Sequence, residues 1–123
     1  MSTLVINIGG TGPKRRLQIF EFQWRAMRAL LQARSAPGNR HAATRFKDGI
    51  YFSLTAWESR EAMLAYSRSG AHGAALRVSR RLLKPDWFFH QFEADKVPDW
   101  NEALTRWQTA RSVASSTLEP ATP

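Results

Sequence analysis

Three histidines, His41, His72 and His90, are the side chains of this 123-residue chain that ordinarily titrate near neutrality. No two of them stand at metal-ligand spacing. There is no HxH, no HExxH and no accompanying carboxylate cluster, and no G-x-S-x-G turn presents a nucleophilic serine. His72 stands apart because Gly70 and Gly73 flank it, where the backbone is less committed to regular helix than on either side. One reading is structural, a cap or bridge at a helix end. The other is chemical, a general base with one ring nitrogen fixed by backbone and the other free to take a proton. Tyr66 lies six residues earlier, about 240° away around an uninterrupted helix. The two share a pocket only if the backbone turns at Ser69-Gly70. Asn7 sits in a β-branched stretch where asparagine is depleted. It either bonds neighbouring backbone or points into a cavity. With Phe20, Trp24 and Met27 as an apolar wall and Trp57 beside them, His72 as base and Asn7 and Tyr66 as donors form a sufficient set, though not a unique one. It could remove a proton from an acidic C–H and hold the developing oxyanion.

These residues need elements to position them. "TLVINI" at 3–8 reads as a strand closed by Gly9-Gly10, and "GGTGPKRR" as a loop whose glycines match no phosphate-binding spacing. From Leu17 to Arg34 the period becomes helical, with Leu17, Phe20, Trp24, Met27 and Leu31 on one stripe, and Pro37-Gly38 ends it. Such a stripe is ordinarily core, and becomes pocket wall where the fold leaves space beneath it. Residues 40–47 and 50–57 predict two strands joined at Asp48-Gly49. Ile50, Phe52, Leu54 and Ala56 share one face of the second, and Tyr51, Ser53, Thr55 and Trp57 the other. Ser59 caps a helix carrying Ala62, Met63 and Tyr66 inward. After the Ser69-Gly70 break a second helical piece places Ala71, Ala75, Val78 and Leu82 on one side. "WFFHQFEA" predicts a fourth strand. Asp99 and Glu102 open a last helix with Trp100, Leu104 and Trp107 on its apolar side.

The order β-α-β-β-α-β plus a C-terminal helix predicts a ferredoxin-like α+β domain over residues 1–111. Residues 112–123, rich in Ser, Thr, Ala and Pro, predict a disordered tail. A sheet with two partly apolar faces needs cover on both. Helices cover one, so the other predicts face-to-face pairing into a homodimer.

Composition narrows the setting. The chain is 43% hydrophobic with no cysteine, which excludes disulfides and cysteine-based metal sites. No apolar run approaches the ~20 residues of a membrane span, and no membrane partner is expected. No basic segment precedes the first apolar stretch, so no signal peptide is expected and a cytoplasmic location is. The net charge is +8, with basic clusters at "PKRR" and "RVSRRLLK" that are not interleaved with aromatics. Nucleic-acid binding therefore rests on charge alone. A solvated surface is the favoured account of the charge, so a nucleic-acid partner is not expected, and the same charge can speed capture of an anionic substrate.

"LTAWES" followed by "REAMLAYSRSGAH" and a small-residue helix, across 50–82, resembles the antibiotic-biosynthesis monooxygenase-like group of dimeric α/β-barrel proteins. The element order extends the likeness to 3–94. The resemblance implies a homodimer with a small hydrophobic or aromatic, polyketide-like substrate, and oxygenation without a cofactor. It also implies alternatives, since this scaffold carries many chemistries: a haem-binding or haem-dependent protein, or a non-catalytic ligand-binding dimer. In the haem-degrading branch a first-strand asparagine matches Asn7 and a tryptophan falls at Tyr66. The axial histidine would fall at or near Leu76, where this chain has leucine; His72 stands four residues earlier, and the resemblance adds haem ligation as a third reading of it. In the polyketide-oxygenase branch, Tyr66 and Trp57 are counterparts of aromatic groups that hold the substrate's oxygens.

Overall fold

A computed structural model describes residues 3–70, 79–82 and 88–118. Strand β1 (Leu4–Thr11) leads through a 3-10 turn at Arg16–Gln18 into α1 (Ile19–Ser35). Then come β2 (Asn39–Lys47), β3 (Ile50–Trp57), α2 (Arg60–Ser67), a short α3 (Ser79–Leu82), β4 (Phe88–Ala94) and α4 (Trp100–Leu118). The sheet is antiparallel throughout, in the order β2-β3-β1-β4. That is the ferredoxin-like α+β arrangement.

Local chemistry fixes the hairpin and the helix starts. Asp48 and Gly49 have φ of 52° and 78°, both positive as a two-residue type I′ turn requires, and Lys47 pairs with Ile50 across it. Ser59 Oγ accepts from the Ala62 backbone N–H at 3.1 Å, and Asp99 Oδ1 from that of Glu102 at 2.8 Å.

β1 runs further than its β-branched residues suggest, through both glycines to Thr11. The glycines are there because rings pack onto them. A Cβ on Gly9 would overlap the Phe89 ring, and one on Gly10 would lie 2.6 Å from Trp107 Cζ2. Close ring-on-backbone packing, not a loop, explains "GG".

The two sheet faces carry different cores. Ile6, Ile8, Phe52, Leu54 and Ala56 pack with Ala103 and Trp107 of α4. Trp57 and Ala42 pack with Ala33 of α1 and Met63 of α2 on the other. The face expected to be left for a second subunit is thus covered by the chain's own α4. The reason is Trp107: its ring meets Phe52 edge-on at 4.9 Å, and its Nε1 donates to the Phe88 carbonyl at 2.9 Å. α4 continues to Leu118, so residues 112–118, expected in a disordered tail, are helical.

α1 differs most from expectation. It buries Phe22 and Ala33, with Ile19, Ala26 and Leu30 half-buried beside them, while Leu17, Phe20, Trp24, Met27 and Leu31 are exposed. The predicted stripe is real, but a second apolar face about 140° away from it meets the sheet. Phe22 and the alanines let that face lie closer. α3 ties down the start of α1: the Lys14 N–H donates to the Leu82 carbonyl at 2.7 Å, and Arg81 pairs with Glu21 at 2.7 Å.

Candidate functional site

The helix-facing side of the sheet holds the unusual chemistry. Because side chains alternate along a strand, Asn7 and Thr11 of β1 share this side with Tyr51, Ser53, Thr55 and Trp57 of β3. Asn7 pairs directly with Thr55, and Val5 with Trp57, so Trp57 is the diagonal neighbour of Asn7. Thr11 lies about 13 Å along the strand, opposite Tyr51.

Asn7 Oδ1, Trp57 Nε1 and Thr11 Oγ1 are buried without a hydrogen-bond partner among the described residues. Buried polar groups are nearly always paired, because an unpaired one costs about 1–3 kcal/mol. Three on one sheet face, one acceptor and one donor of them adjacent, form a set awaiting polar partners.

α1 and α2 roof this surface. The Tyr66 ring lies over Trp57 with centroids 4.9 Å apart and planes 31° from parallel, and its hydroxyl donates to the Ala29 carbonyl of α1 at 2.9 Å. Burial pushes the Tyr66 phenol well above its ordinary pKa, helped by nearby Tyr51. Tyr66 is therefore neutral, and its proton is engaged. It clamps α2 to α1 and presses on Trp57, rather than offering its O–H to a substrate. Towards Thr11, Phe22 meets Tyr51 edge-on at 5.1 Å. Burial raises the Tyr51 pKa too, partly offset by a hydrogen bond with Thr44.

The structure thus brings together three of the residues picked out in the sequence: Asn7, Trp57 and Tyr66. It does not add Phe20, Trp24 and Met27, which are exposed on the far side of α1. The apolar side chains packed about this face are instead Phe22, Tyr51 and Met63. His72 lies outside the described residues. Thr11 and Thr55 are additions. Strand alternation already placed Thr55 on the face of Trp57, though not in the site, whereas Thr11 was hidden by reading "GG" as the strand's end.

A haem on this face would need an axial ligand, and the described residues do not supply a histidine there. His41 and His90 pair with Ala56 and Ile8, so both belong to the opposite face, under α4. Burial, with Arg106 nearby, lowers the His90 pKa.

Comparison with solved structures places the fold. The chain is similar to a Nitrosomonas europaea protein provisionally described as an antibiotic biosynthesis monooxygenase. The TM-score is 0.67 at 10% identity, covering 78% of this chain and 94% of that one. It is likewise similar to a mutant form of SnoaB, a cofactor-independent oxygenase from Streptomyces nogalater (TM-score 0.61, 16% identity, 78% and 98% covered). A third similar structure is a Nitrosomonas europaea protein of unknown function (TM-score 0.64, 16% identity, 80% and 97% covered). No family model matches the chain, and no curated protein matches its sequence. The chain has the antibiotic-biosynthesis monooxygenase-like fold.

Proposed function

We propose that this chain is a small-molecule pocket enzyme that oxygenates an aromatic, polyketide-like substrate without a cofactor. The observation that carries the reading is the buried, unpartnered pair Asn7 Oδ1 and Trp57 Nε1 on the helix-facing side of the sheet. A phenolic substrate there would give a hydroxyl to Asn7 and take the indole N–H on its oxygen. The likeness to SnoaB supports the reaction class.

In this reading a base removes a proton from the substrate's acidic CH2, and the indole N–H stabilises the charge that moves onto the phenolic oxygen. The carbanion passes one electron to O2, and the radical pair combines to a peroxide. Loss of water leaves a carbonyl, so CH2 and O2 become C=O and H2O. His72 is the proposed base. Asn7 and Trp57 hold the substrate, and Tyr66 keeps Trp57 in place. The reading includes a cytoplasmic homodimer. Since α4 covers the sheet face on which pairing was expected, the partner would meet the outer side of α4, where Val113 is exposed.

The test is oxygen uptake and quinone absorbance with a tricyclic anthrone as substrate. Turnover that falls about 10²–10⁴-fold in His72→Ala supports the reading. Absence of uptake across a panel of anthrones and naphthols, or full activity in His72→Ala and Asn7→Leu, overturns it. A sharp stoichiometric hemin complex that His72→Ala abolishes would favour the haem reading instead.

A further inference from the structure

The outward stripe, from Leu17 in the 3-10 turn along α1 to Leu31, is largely exposed and lies outside the proposed site. Its five large apolar side chains span about 21 Å of helix. Exposure runs from 54% at Trp24 and Met27 to 95% at Leu17, with Phe20 at 84%. A soluble surface carries single exposed apolar residues without consequence, but a contiguous row of this length marks an interaction surface.

Charge says what kind. Arg15 and Arg16 stand exposed just before the stripe, and Arg28 runs along its edge. None of these three has a carboxylate partner among the described residues. Arg28 lies 4.9 Å from the Trp24 ring centroid and Arg25 6.0 Å. The acidic residue at this edge, Glu21, is already engaged by Arg25 and Arg81. The surroundings are thus positive, on a chain of net charge +8.

A second copy fits poorly. An antiparallel pairing of two stripes sets Lys14, Arg15 and Arg16 of one beside Arg34 of the other, and a parallel pairing sets each cluster against itself. The shape also argues against a partner helix. Leu17 and Phe20, almost wholly exposed, project from the surface rather than line a groove that would seat another helix. A flat, anionic, deformable surface suits both features. Large apolar side chains enter the acyl boundary, tryptophan sits at headgroup level, and arginines meet the phosphates.

The geometry points to α1 as an in-plane docking helix for an anionic lipid surface, with Leu17, Phe20, Trp24, Met27 and Leu31 inserted and Arg15, Arg16 and Arg28 on the headgroups. The experiment is flotation of the full chain with vesicles of phosphatidylcholine alone or mixed equally with phosphatidylglycerol, at low and high sodium chloride. The expected result is flotation with the mixed vesicles that exceeds that with phosphatidylcholine by about tenfold or more and weakens with salt. Leu17→Ser with Phe20→Ser should abolish it, and Arg15→Gln, Arg16→Gln and Arg28→Gln together should remove its dependence on phosphatidylglycerol. All these positions are exposed, so the variants should keep the wild-type melting temperature. Wild-type protein that fails to float with mixed vesicles overturns the proposal. So does flotation unchanged in the Leu17→Ser, Phe20→Ser variant. If flotation fails and that variant dissolves a wild-type oligomer, the stripe belongs to a second copy.

Discussion

Asn7 sets two requirements against each other. Its buried, unpaired carbonyl oxygen costs stability, and asparagine is a poor strand residue besides. Leucine is nearly isosteric and has no polar atom to strand. Asn7→Leu is therefore expected to raise the urea midpoint, by up to about 2 kcal/mol in unfolding free energy, while lowering anthrone turnover. A loss of stability would mean that the oxygen is paired in the folded protein. Tyr66 predicts the converse. Its hydroxyl donates to the Ala29 carbonyl, so Tyr66→Phe should cost about 0.5–1.5 kcal/mol. The Trp57 stacking survives, and turnover should change little if the residue positions rather than reacts. Differential scanning calorimetry beside the activity assay separates the two cases.

At the scale of elements, legibility follows how local the cause is. The Asp48-Gly49 turn, the Ser59 and Asp99 caps and the alternation in β3 depend on near neighbours, and each is readable in the chain. The orientation of α1 is not. Two apolar faces compete, and which one meets the sheet depends on how closely Phe22, Ala26 and Ala33 can approach it, which is tertiary information. The end of β1 was hidden for the same reason, because Phe89 and Trp107 come from far along the chain. Of the candidate site, Asn7, Trp57 and Tyr66 were legible as odd or polar residues in apolar stretches, but their unpaired atoms were not. α1 also carries a pH-dependent clamp. Hydrogen bonds from Arg81, then Arg25, lower the Glu21 pKa from 4.5 to about 2. Glu21 binds a proton more readily unfolded than folded, so its contribution is present above pH 4.5 and is lost as pH falls towards 2. Glu21→Gln should flatten the stability curve across that window, as measured by urea midpoints at stepped pH.

The molecule as a whole is a sheet roofed on both sides, and α4 is the roof that sequence reasoning assigned to a second subunit. Cation–aromatic contacts join α4 to the sheet: Arg106 lies 4.4 Å from the Phe92 ring centroid, and Arg45 of β2 lies 5.8 Å from that of Trp100. Trp107 is its anchor, 2% exposed and touching Phe52, Phe88 and the backbone of Gly10. Trp107→Ala should cost about 3–5 kcal/mol, a large share of the roughly 5–15 kcal/mol that holds a domain together. The loss should release α4 before the rest of the fold and bare Ile6, Ile8, Phe52 and Leu54. A bare apolar sheet face seeks another, so the variant should show a sedimentation coefficient that rises with concentration above the wild-type value. Trp107→Phe keeps a ring against Phe52 but loses the hydrogen bond to the Phe88 carbonyl, and should fall between the two. A Trp107→Ala protein with wild-type stability and unchanged sedimentation would show that α4 does not hold this face closed in solution, and would return the face to a second subunit.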